Sequence, residues 1–195
     1  MYAALCVPMT AIVLQYLPAG TDTAFLGIKQ DYIAIPGYLA AFYVHVFTGI
    51  LALPAGLTQF SGTLRKSYPG LHRAQGKFYV AAILGLAAPS GLYIGIFANG
   101  GPASQLAFVL LALLWFWTTL KAYTTIRAGN VRAHEAWMLR SFALTLSALT
   151  LRAWKWAIVG LFHPPPMDVY RIVAWLGWTL NLAIAEYLIF KKQRP

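Results

Sequence analysis

Three of the four histidines, His45, His72 and His134, lie in or beside apolar runs, and Arg152 and Lys155 interrupt a further apolar run. Neutral imidazole ligates haem iron and other metals, and it changes charge near neutral pH. A Lys or Arg at the centre of a spanning helix costs about 2.5–3.5 kcal/mol on insertion scales. Residues this costly point to three chemistries: ligation, proton handling, and capture of an anion. His72 and His134 are the candidate metal ligands. His45, Arg152 and Lys155 are candidates for holding a haem propionate, a carboxylate substrate or the polar head of a quinone.

The elements that must position them follow from composition. The chain has 195 residues, 59% hydrophobic and only 10% charged, where soluble domains carry roughly 25% charged residues. That deficit excludes a soluble globular domain, a disordered chain and a disulfide framework. Hydropathy predicts an all-α polytopic membrane protein, a single integral-membrane domain over 1–195, with six spans at roughly 2–17, 37–60, 77–98, 103–122, 136–162 and 169–190. Spans two to five form a core over 37–162, flanked by helices 2–17 and 169–190. The apolar start lacks the cationic region of a signal peptide and reads as a short first span. Cys6 lies in this run and reads as a packing residue, having no second cysteine for a disulfide.

The net charge of +10 would suggest nucleic acid in a soluble protein, but no basic stretch is long enough for a groove or arm. Nucleic acid is therefore not an expected partner. The cations gather at helix ends: Arg65, Lys66, Arg73 and Lys77 between spans two and three; Lys121, Arg127, Arg132 and Arg140 around the next such turn; Lys191, Lys192 and Arg194 in the tail. With alternating spans, all three groups share one side, opposite Asp22, Asp31 and Asp168. The positive-inside rule then predicts a bacterial cytoplasmic membrane protein with both termini cytoplasmic.

An internal repeat links the histidines. Thr63-Leu64-Arg65 precedes His72 as Thr125-Ile126-Arg127 precedes His134, at an offset of 62 residues. Spans two–three and four–five thus read as two hairpins related by a pseudo-twofold axis. Histidines facing such an axis could ligate haem iron. The simpler alternative is that each histidine, beside Arg73 or Arg132, anchors lipid phosphates. Pro54 and Pro89-Ser90-Gly91 predict kinks that widen the bundle.

His45 would lie about 12 Å into its span, a depth at which an ionisable residue normally faces the bundle interior. Gly49, Ala52 and Gly56 follow it on one stripe of small residues, leaving room for a close helix or a flat cofactor. In span five, His134, Met138, Ser141, Thr145, Ala148, Arg152 and Lys155 form a polar stripe expected to face inward. Snorkelling to the interface is the alternative for the two cations. Glu135 and Glu186 read as ion-pair partners of nearby cations or as residues at the membrane interface. No nucleotide loop, Ser-His-Asp set or HExxH zinc motif occurs.

Gln59-Phe60, Leu64-Arg65, Leu71-His72-Arg73, Gly76 and Tyr79, followed by His134, Trp137-Met138 and Thr150-Leu151-Arg152, resemble a bacterial family of predicted membrane proteins, the domain of unknown function 2306. His45 with Gly49 adds to the likeness, which covers roughly residues 38–155. It implies a membrane fold and a set of marked positions, with no reaction attached. A looser likeness is to four-helix transmembrane b-type cytochromes, which pair histidines on facing helices; here span four has no histidine to partner His45. Together these lead to the expectation of a membrane redox protein holding haem b or a metal. The alternatives are a carrier for a small anionic or amphipathic ligand, and an accessory subunit of a larger membrane complex.

Overall fold

The computed structural model describes residues 2–194, with side chains from residue 7 onward, so Cys6 lies outside the described side chains. Among the described residues the chain is helical and has no strand. Four helices are long and apolar enough to cross a membrane: Tyr38–Thr58, Pro69–Ile96, Pro102–Arg127 and Pro166–Gln193. These correspond to the second, third, fourth and sixth expected spans. Three of them start with proline in the first turn, where its missing N–H has no intrahelical partner to lose.

The other two expected spans differ. The first is α1, Tyr2–Leu14, whose 13 residues reach about 20 Å at helical rise, short of the roughly 30 Å hydrocarbon core. The fifth begins earlier than expected, because Asn130 accepts a hydrogen bond from Ala133 N (3.0 Å) and caps the helix at Val131. It is then divided at Leu146 into two helices, Val131–Thr145 and Ser147–Phe162.

The chain forms two compact units, Met1–Phe97 and Ala98–Pro195. The first contains α1, a short α2 (Gln30–Ile33), α3 (Tyr38–Thr58), α4 (Gly62–Ser67), α5 (Pro69–Ala82), a widened π turn (Ile83–Ala87) and α6 (Ala88–Ile96). Its α3 packs on α1, α5, the π turn and α6. At one end of α3 the segment between α1 and α3 folds onto an aromatic cluster around buried Tyr16, Leu26, Tyr38 and Phe42. Phe42 meets Tyr16 edge-on at 5.1 Å and stacks with Phe25 at 6.0 Å. Tyrosine hydroxyls pin the segment: Tyr43 Oη accepts from Gly20 N (2.9 Å) and donates to Gly20 O (2.8 Å), and Tyr93 Oη donates to Pro36 O (2.7 Å).

The second unit contains α7 (Pro102–Arg127), α8 (Val131–Thr145), α9 (Ser147–Phe162) and α10 (Pro166–Gln193). Its helices are joined by polar side chains. Thr119 and Ser141 hydroxyls meet at 2.7 Å between α7 and α8, and Trp115 Nε1 donates to Thr145 Oγ1 at 2.9 Å. Asn181 of α10 donates to Ala143 O (3.0 Å) and to Thr150 Oγ1 (2.9 Å), and Thr150 Oγ1 donates to Gly177 O (2.5 Å). Gly177 allows this approach, since a Cβ there would stand 2.9 Å from Leu151 Cβ and 3.1 Å from its Cα.

Candidate functional site

In the small-residue stripe of α3, Ala52 and Gly56 are buried, while a Cβ at Gly49 would meet nothing within 4 Å. At the top of the stripe, the His45 ring lies against α6 at Gly91, where a Cβ would come within 2.8 Å of the ring's Cε1 and Nδ1. His45 Nδ1 donates to Ala87 O at 2.8 Å. Ala87 ends the π turn, and Pro89 brings no N–H to the following turn. Side chains supply donors there: Ser90 Oγ donates to Leu86 O (2.5 Å) and sits 3.2 Å from Ala87 O. Pro89-Ser90-Gly91 itself lies in the regular helix α6; the irregularity is the π turn just before it, whose buried Ala87 carbonyl seats an imidazole.

His134 has a matching contact in the second unit. Its Nδ1 donates to Ala122 O of α7 at 2.8 Å, and its ring is half-buried. In both contacts the partner is a carbonyl, which can only accept. The proton is therefore on Nδ1, and in the neutral ring the lone pair is on Nε2. His72 is half-buried in the first turn of α5, and its own carbonyl accepts from Gln59 Nε2 at 3.4 Å.

The two histidines hold the same position relative to their helix starts, whereas the tripeptides lie in different settings. His72 N bonds Tyr68 O and His134 N bonds Asn130 O, both at 3.0 Å, so each histidine is the fourth residue after its cap. Thr63-Leu64-Arg65 sits in the separate short α4, whereas Thr125-Ile126-Arg127 is the last turn of α7.

The polar stripe of the fifth span is buried at Met138, Ser141 and Thr145, where its hydroxyls join α7 to α8. Its charged end behaves differently. Arg152 Nη1 turns back to Ala148 O of its own helix at 2.6 Å, and Lys155 is exposed. Arg152 and Lys155 belong to the second unit and His45 to the first. Glu186 accepts from Arg140 Nη2 at 2.7 Å, and Glu135 pairs with Lys192, as their positions beside cations suggested.

Lys29 is the charged residue that sequence reading missed. It lies in the segment between α1 and α3, yet only 1% of it is exposed. Its Nζ donates to Phe97 O at the end of α6, and it sits 4.5 Å from the Tyr32 ring centroid and 5.5 Å from that of Phe25. Burial pushes the ammonium pKa down to about 8. One available signal was a lone cation among Phe25, Tyr32 and Tyr38 in a segment with few other charges.

Among the described residues no group of three or more His, Cys, Asp or Glu side chains comes together to hold a metal ion. A family model described as "Predicted membrane protein (DUF2306)" matches residues 42–189, from α3 through nearly all of α10. No curated protein and no solved structure matches the chain.

Proposed function

We propose that this chain, which belongs to the DUF2306 family of predicted membrane proteins, is an integral membrane redox protein that holds haem b through histidine. The observation that carries this reading is the pair of imidazoles whose Nδ1–H is tied to a main-chain carbonyl, His45 to Ala87 O and His134 to Ala122 O, each at 2.8 Å. That bond selects the tautomer with its lone pair at Nε2 and orients the ring, the arrangement usual for metal-bound histidine. Haem suits a chain with isolated histidines better than a bare metal ion does, because the porphyrin supplies four ligands and the protein one or two. His45 would then be an axial ligand in the first unit and His134 in the second, with His72 a further candidate ligand. Arg152 and Lys155 would bind the carboxylate or polar head of an anionic or quinone partner.

The proposed setting is a bacterial inner membrane crossed six times, by the four long helices, by α1 and by the α8–α9 pair, with both termini cytoplasmic. The cations on the α3–α5 and α7–α8 turns and in the tail support that orientation. The test is an absorption spectrum of detergent-purified protein, made with ample haem, before and after dithionite. A Soret band with sharp reduced α and β bands is the expected result, weakened in His45→Ala or His134→Ala. A flat spectrum overturns the haem reading. Thermal stabilisation by a small carboxylate, lost in Arg152→Ala, would then favour a carrier, and a stoichiometric co-purifying protein would favour an accessory subunit.

A further inference from the structure

The two hairpins carry similar numbers of cations but neutralise them differently. In the second unit Arg140 pairs with Glu186 and lies over Trp137, and Lys192 pairs with Glu135. Lys121 and Arg127 lie over Trp117 and Tyr123, at 4.7 and 6.0 Å from the ring centroids. In the first unit Lys29 lies over Tyr32 and Phe25, but no ring contact or ion pair among the described residues involves Lys66, Arg73 or Lys77 of the α3–α5 turn. The carboxylates of this unit are Asp22 and Asp31, both in the segment before α3, and no Asp or Glu occurs from residue 32 to residue 134. The 21 residues of α3 separate that segment from the α3–α5 turn by about 30 Å.

The turn itself holds Arg65, Lys66, Arg73 and Lys77. Lys66, Arg73 and Lys77 are exposed, and no ion pair among the described residues involves them. Arg73 and Lys77 stand one turn apart on α5. Between and beside them Phe60, Tyr68, Leu71 and Phe78 expose about half of their surface, from 45% for Phe60 to 63% for Tyr68. Cations interleaved with bulky apolar groups at the end of a spanning helix match the boundary between lipid headgroups and acyl chains. An orientation signal needs only the charge; it does not need the exposed rings.

We infer that the α3–α5 turn is a binding surface for anionic phospholipid, with Lys66, Arg73 and Lys77 on the phosphates and Phe60, Tyr68, Leu71 and Phe78 in the acyl boundary. This inference is independent of haem. Cationic contacts of this kind contribute roughly fivefold in apparent affinity per residue, so three substitutions remove about a hundredfold.

The experiment uses the full chain in neutral detergent, titrated with phosphatidylglycerol, phosphatidylcholine or inorganic phosphate, reading the thermal unfolding midpoint and the lipids retained in native mass spectrometry. Phosphatidylglycerol is expected to raise the midpoint and stay bound, and high salt to abolish the rise. The variant Lys66→Gln/Arg73→Gln/Lys77→Gln should lose both effects, and Arg127→Gln/Arg132→Gln on the other hairpin should keep them. If the triple variant does not fold, Lys66→Gln/Lys77→Gln reads the same loss in part. The inference is overturned by an equal rise with phosphatidylcholine, by inorganic phosphate reproducing the rise, or by equal loss in both hairpin variants. It is also overturned if the triple substitution releases a co-purifying acidic protein while lipid retention is unchanged.

Discussion

The two units hold their helices together with different chemistry. The first uses aromatic rings and has none of the chain's seven tryptophans; its buried cluster is built on Tyr16, Tyr38 and Phe42. The second uses hydroxyl, amide and indole hydrogen bonds such as Thr119–Ser141, Trp115–Thr145 and Asn181–Thr150. The difference follows from what each helix packs against. The cluster lies where α3 meets a folded connecting segment, so large rings exclude water from loop backbone and tyrosine hydroxyls satisfy its polar groups. Between spanning helices lipid already surrounds the apolar groups, so burial gains little, and close packing with hydrogen bonds holds the interface.

This contrast can be broken at several points. The largest effect is expected from Phe42→Ala, which removes the ring at the centre of the cluster and should cost about 3–5 kcal/mol, read as a lower unfolding midpoint in detergent. A loss below that of the hydroxyl variants would mean the cluster does not hold the first unit. Next come the glycines at helix contacts. Gly91→Ala would push on the His45 ring and Gly177→Ala on the Leu151 backbone, each costing about 1–3 kcal/mol. Gly91→Ala should also disturb any haem spectrum that depends on His45, while Gly177→Ala should leave that part of the spectrum unchanged.

Lys29 gives a pH signature to the first unit. Its folded pKa of about 8 lies below the ordinary lysine value of 10.5, so between these values the unfolded chain binds more protons and stability rises with pH. The expected slope is at most about 1.4 kcal/mol per pH unit, best read between about 8 and 9.5, before tyrosines ionise. Lys29→Met should flatten it. The smallest effect is expected from Thr119→Val, which removes one hydrogen bond between α7 and α8, about 0.6 kcal/mol. A cost of several kcal/mol there would mean that the polar network, and not close packing, dominates the second unit.

Much of the fold is legible along the chain because its causes are local. The long helices follow from apolar runs, which place the starts of α7 and α10 within three residues, whereas α5 and α8 start eight and five residues before their expected spans, at Pro69 and just after the cap Asn130, in polar stretches that hydropathy does not count. The division of span five at Leu146 was less legible, since the apolar pattern continues through it and Leu146 keeps helical angles, φ −67° and ψ −12°. The candidate site was legible in part. His45 and His134 are visible as costly residues, and their shared Nδ1–carbonyl bond is not, because Ala87 and Ala122 look like any other alanine.

The sequence by itself determined the helical membrane class, the long helices, and the equivalent positions of His72 and His134 at their helix starts. Each depends on hydropathy or capping within a few residues. Tertiary structure alone decided that Lys29 is buried against Phe97, that His45 seats on the π turn, and that Glu186 meets Arg140. These contacts join residues 68, 42 and 46 positions apart. Their partners are main-chain carbonyls or one of several available cations, and only the packing of helices selects which of them comes within reach.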